Sequence, residues 1–108
     1  MIKVSRGDVI VGSDFIGGNN ERPFVVISNE DHPFSSEECL VVLITTTERD
    51  QAITLPEEKF EEGKLPKESY ASPWTMTTLK TSVVRRKIGK LNSETIEEIS
   101  DQVTTYIK

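Results

Sequence analysis

Two runs limit the folds open to this chain more than any other feature. Residues 24–28 (Phe24, Val25, Val26, Ile27, Ser28) and residues 40–47, from Leu40 to Thr47, are apolar or β-branched apart from the closing Ser28. Each has the length of a strand, and neither alternates with polar residues. Both therefore predict central strands buried on two faces. Shorter β-rich runs surround them at 8–11, 52–55, 69–72, 75–79 and 83–88. Pro73 separates two of these, which predicts a bent or edge strand pair. Residues 57–67 are rich in Glu and Lys and hold Gly63 and Pro66, so they predict an exposed excursion with at most one helical turn.

The tail changes period. Ile96, Ile99, Val103 and Ile107 recur at three- and four-residue steps, which makes one apolar helix face. Asn92 is placed to cap it, and Glu94 falls in the first turn, where the helix dipole favours a negative charge. Leu91 and Ile96 occupy the two positions of a hydrophobic staple. The fold class that follows is mostly β (α+β): a small, strongly bent antiparallel sheet or β-barrel with a C-terminal α-helix.

With 108 residues the chain is expected to form a single domain, 1–108. No run approaches the roughly 18 apolar residues of a membrane helix. The opening residues have no apolar signal core, so the expected location is cytoplasmic. The single cysteine, Cys39, rules out an internal disulfide and a cysteine zinc cluster, and its neighbours Leu40 and Val41 predict a buried thiol. The formal net charge is −5, so nucleic acid would have to meet a local basic patch. One exists in Lys80, Arg85, Arg86, Lys87 and Lys90, while the acids gather at 57–62 and 94–101.

Familiar catalytic sets are missing: there is no glycine-rich phosphate loop and no nucleophile elbow. His32 is the sole histidine and reads as an exposed loop residue, so no histidine pair is available for acid–base work. No cofactor is expected, and nothing in the spacing of carboxylates demands a metal. Arg22 is different. It follows Gly17, Gly18, Asn19 and Asn20 and precedes Pro23, which biases it toward an extended backbone. A charged fork held stiffly beside an adaptable loop suits a phosphate group.

Taken in order, Arg6-Gly7-Asp8-Val9, then Arg22-Pro23 through Asn29, then Val41 through Thr46, resemble the MazF/PemK toxin family. Ser69-Tyr70, Thr78-Leu79 and Arg86 through Leu91 continue the resemblance to the terminal helix. It implies an SH3-like, CcdB/PemK-like barrel and a sequence-selective endoribonuclease (mRNA interferase) of a type II toxin–antitoxin module. Such an enzyme cleaves single-stranded RNA through its 2′-hydroxyl without metal, pairs as a homodimer and binds a cognate antitoxin. The resemblance makes Arg22 and Thr45 catalytic. It assigns RNA contacts to Gly18, Asn19, Asn20, Glu21, Thr46, Thr77, Thr78, Lys80 and Arg86. The chain departs from the family where Thr77 replaces a frequent basic residue and Lys80 a frequent acid. Two other readings stand beside this one: a gyrase-inhibiting toxin of the same fold, and a non-catalytic SH3-like binding module.

Overall fold

The computed structural model describes residues 2–13 and 20–108. Among these residues, seven strands and one α-helix follow in chain order. They are β1 (Asp8–Ser13), β2 (Glu21–Val26), β3 (Glu38–Thr45), β4 (Ile53–Thr54), β5 (Phe60–Gly63), β6 (Tyr70–Lys80), β7 (Val84–Leu91) and α1 (Ser93–Ile107). The strands form one antiparallel sheet in the order β4-β6-β3-β2-β1-β7-β5, curled into a half-barrel.

The two long apolar runs sit where their composition requires. Successive side chains on a strand face opposite ways. Val25 and Val42 therefore enter one core with Val9, Ile44, Leu91, Ile96, Ile99 and Val103, beneath α1. Phe24, Val26 and Val41 enter a second core with Ile10, Cys39, Leu79 and Val84. Fully burying such a side chain contributes about 1.5–3 kcal/mol, so both faces of β1, β2 and β3 resist polar substitution. Cys39 is buried and its Sγ donates to the Leu79 carbonyl at 3.6 Å.

The helix is as its sequence predicts. Asn92 Oδ1 accepts from the Thr95 N–H at 2.9 Å, and Leu91 and Ile96 pack in the same core. His32 corrects an expectation: it is half-buried rather than exposed, and its Nδ1 accepts from the Phe34 N–H at 3.0 Å.

Two segments also differ from expectation. Residues 70–80 form one strand straight through Pro73, not a strand pair. Pro73 is tolerated because the β3–β6 register shifts there, from Leu43 opposite Ser72 to Val42 opposite Met76. β4 pairs only with Tyr70 and Ala71, so beyond them β6 runs along the edge, where a missing N–H costs little. The polar excursion contains a 3-10 turn, Glu57–Lys59, as allowed, but then continues as β5 against β7. No apolar alternation marks this strand; two glycines make it possible. A Cβ on Gly63 would collide with the Ile88 carbonyl, and one on Gly89 would lie 2.7 Å from the Glu62 carbonyl oxygen.

Candidate active site

The β2–β3 ladder pairs Val26 with Val41, Val25 with Val42 and Phe24 with Leu43, and stops there. The next residue on β2 is Pro23, which has no N–H to bond with a neighbouring strand. On its other side β2 stays paired with β1, where Val11 faces Pro23 and Gly12 faces Arg22. β2 thus remains anchored through Glu21 while its contact with β3 has ended. Strand β2 begins at Glu21, so Arg22 belongs to a paired strand and does not merely precede one.

A cleft of about 370 Å³ opens where the ladder ends, lined by Asn20, Glu21, Arg22, Pro23, Ile44, Thr45, Thr46 and Ser69. It gathers both residues expected to be catalytic and three of those expected to contact RNA. Ser69 was not among the expected site residues. Its only sequence signal was its place in the Ser69-Tyr70 pair, and it is buried, with its hydroxyl donating to the Lys67 carbonyl at 2.8 Å.

The cleft sets a guanidinium and a carboxylate among hydroxyl groups. Arg22 brings a permanent charge and a planar fork of donors. Thr45 Oγ1 accepts from the Thr47 N–H at 3.1 Å, which fixes the hydroxyl and leaves its proton to donate. Tyr70 lies opposite Thr45 in the β3–β6 register. Desolvation, then the carboxylates of Glu48 and Glu68, push its phenol upward, so it stays protonated at neutral pH and is no base there. Among the described residues no group of three or more His, Cys, Asp or Glu side chains could hold a metal ion.

Glu21 brings a carboxylate to the cleft and joins it to the basic strand. Its Oε2 lies 3.7 Å from Arg85 Nε and its Oε1 lies 3.6 Å from Arg86 Nη1. Arg86, expected on the RNA surface, is thereby placed beside the cleft. Thr77, Thr78 and Lys80 are not. They face Val41, Leu40 and Glu38, near the opposite end of β3 from Thr45. At the usual strand rise, Leu40 and Thr45 stand about 17 Å apart. Gly18 and Asn19, the remaining expected contacts, lie outside the described residues.

Residues 5–107 match the sequence profile of the family described as PemK-like, MazF-like toxin of type II toxin-antitoxin system. The chain belongs to this family. Solved structures agree on the fold. A mycobacterial endoribonuclease in complex with its cognate antitoxin superposes with a TM-score of 0.76 at 19% identity, covering 99% of this chain and 95% of that one. MazF of the MazE–MazF complex from Deinococcus radiodurans gives 0.74 at 14% identity, with 99% and 97% covered. The Mycobacterium tuberculosis toxin MazF-mt6 gives 0.72 at 17% identity, with 91% and 93% covered. No curated protein matches the chain at the sequence level. At such identities the structural neighbours speak for the fold, and the family match rests on the sequence profile.

Proposed function

We propose that this toxin-family chain is an endoribonuclease that cuts single-stranded RNA in the cleft between the ends of β2 and β3. The observation that carries the reading is the meeting of Arg22 and Thr45 in one cleft, 23 residues apart in sequence. Family membership and the endoribonucleases among the structural neighbours support it.

The reaction is an internal transfer. The ribose 2′-oxygen attacks the adjacent phosphorus, the bond to the 5′-oxygen breaks, and a 2′,3′-cyclic phosphate and a 5′-hydroxyl remain. The proton leaves the 2′-hydroxyl as the new bond forms, and the departing oxygen gains one. Because the nucleophile belongs to the RNA, the protein has to position it and stabilise charge on the phosphoryl oxygens. Arg22 supplies two donors to those oxygens, and Thr45 orients the phosphate through its hydroxyl proton. Neither role requires a metal ion.

The same reading includes an antitoxin partner, as in the mycobacterial and Deinococcus complexes, and a homodimer. Large exposed apolar side chains on β6 and the end of α1 support self-association: Trp74, Met76, Tyr106 and Ile107. Among the described residues no helix is long and apolar enough to cross a membrane.

The test is to incubate the purified protein with a long mixed-sequence RNA in excess EDTA and map the new ends. Cuts ending in 2′,3′-cyclic phosphate are expected. Intact RNA, or cleavage only after magnesium is restored, would overturn the mechanism.

A further inference from the structure

Glu21 is out of place in a cleft meant for RNA, because a carboxylate at its lip repels the phosphate backbone. Its surroundings supply a reason. Neighbouring residues on a strand point to opposite faces, yet Arg85 and Arg86 both reach the one carboxylate, at 3.7 and 3.6 Å. Two features of the sheet allow it. The β1–β7 register shifts between Val11, opposite Arg86, and Gly12, opposite Val84. Such a bulge re-aims the side chains beside it. The intervening strand β1 ends in the small residues Gly12 and Ser13, opposite Arg22 and Glu21, so within the β1 strand no bulky side chain stands between Glu21 and β7.

Both contacts are long, and all three side chains are exposed. Exposed pairs of this kind are weak and are easily exchanged for another anion. A phosphodiester chain leaving the cleft past Asn20 and Glu21 would offer such an anion at each nucleotide.

We propose that Glu21 is a stand-in for an RNA phosphate. Its carboxylate gathers Arg85 and Arg86 at the edge of the cleft in the free protein and gives them up to the RNA backbone on binding. The inference rests on the RNA reading of the cleft and deepens it. Glu21 then makes no favourable contact with RNA; it lowers affinity for every sequence alike, through the two arginines. A short RNA that fills the cleft without reaching Arg85 and Arg86 gains nothing from them, so the device favours long polyanions.

The test measures binding of single-stranded RNAs of several sequences, each long enough to run from the cleft past Glu21 to Arg85 and Arg86, and 2′-fluoro-substituted so that no attacking hydroxyl is present. The proteins compared are the wild type, Glu21→Gln, the double variant Arg85→Ala with Arg86→Ala, and the triple variant. Glu21→Ala serves as a second probe, and melting curves establish that each protein is folded. Glu21→Gln is expected to bind every sequence roughly twofold to fivefold tighter. The gain should shrink as salt is added and vanish when both arginines are absent. Equal or weaker binding by Glu21→Gln, or a gain that persists without the arginines, overturns the proposal. So does a loss confined to one sequence, which would make Glu21 a reader of base edges. Slower cleavage of unmodified RNA with unchanged binding also overturns it, since Glu21 would then handle a proton. A wild-type protein that binds no RNA at any salt concentration overturns the cleft reading itself.

Discussion

Arg22 of β2 and Thr45 of β3 hold the positions that would face each other if the β2–β3 ladder ran two residues beyond Phe24 and Leu43. The ladder stops short of them, and the cleft opens between them. Sheet register therefore fixes their relationship. It also makes the pair separable by mutation, because neither residue belongs to a buried core.

Arg22→Ala should slow single-turnover RNA cleavage by about 10²–10³, the usual cost of one transition-state donor. Arg22→Lys should recover little, since an ammonium keeps the charge but loses the fork that spans two oxygens. Measuring melting temperature on the same samples separates catalysis from folding. Full cleavage by a folded Arg22→Ala protein would remove the active site from this cleft.

Thr45 makes a finer test. Thr45→Val keeps the shape but leaves the Thr47 N–H without its acceptor and the phosphate without a hydroxyl donor. A cost of about 1 kcal/mol in transition-state binding is expected, roughly fivefold in kcat/KM. Thr45→Ser should restore most of it. If the serine variant is as slow as the valine variant, the methyl group matters rather than the hydroxyl.

Asp8 tests the frame that holds the cleft. Its buried carboxylate accepts from the Ser5 N–H at 2.8 Å through Oδ2, while Oδ1 lies 3.1 Å from Lys87 Nζ. Asp8→Ala removes these interactions, with the weaker one from Ser5 Oγ at 3.4 Å, and leaves the Lys87 ammonium without its carboxylate. Urea denaturation should show a loss of about 2–3 kcal/mol, reduced from the figure for a fully buried pair because Lys87 reaches solvent. Asp8→Asn, which can still accept from Ser5, should lose less. Equal stability of Asp8→Ala and wild type would mean that β1 is fixed by its ladders alone.

Cys39 gives a prediction in pH. Burial pushes its thiol up from 9.0 to about 11. The unfolded chain therefore releases this proton before the folded one does. Its contribution to stability is whole below about pH 9 and is lost as the pH rises toward about 11. Iodoacetamide at pH 8 should label the urea-unfolded protein quickly and the native protein very slowly. Rapid labelling of the native protein would contradict the burial of Cys39.

The sequence alone determined those parts of the molecule whose physics is local. The apolar stretches inside 24–28 and 40–47 leave little but central strands, because only a sheet covered on both sides hides side chains such as Val25, Val26, Val41 and Val42 together. The 3.6-residue period after Asn92 leaves little but a helix, and the cap and staple mark where it starts. Arg22 was legible as a stiff charge next to Pro23, and the resemblance supplied its partner Thr45. Tertiary structure decided the remainder. β5 is held by the close approach of Gly63 to Gly89, and neither glycine shows in sequence which backbone it will meet. The strand through Pro73 depends on β4 stopping at Ala71, a matter of a neighbour's length. Ser69 joins the cleft, and Thr77, Thr78 and Lys80 lie toward the other end of β3, because strand register decides which residues share an end of the sheet. The meeting of Glu21 with Arg85 and Arg86 crosses an intervening strand at a bulge, and only the folded sheet brings those three charges together.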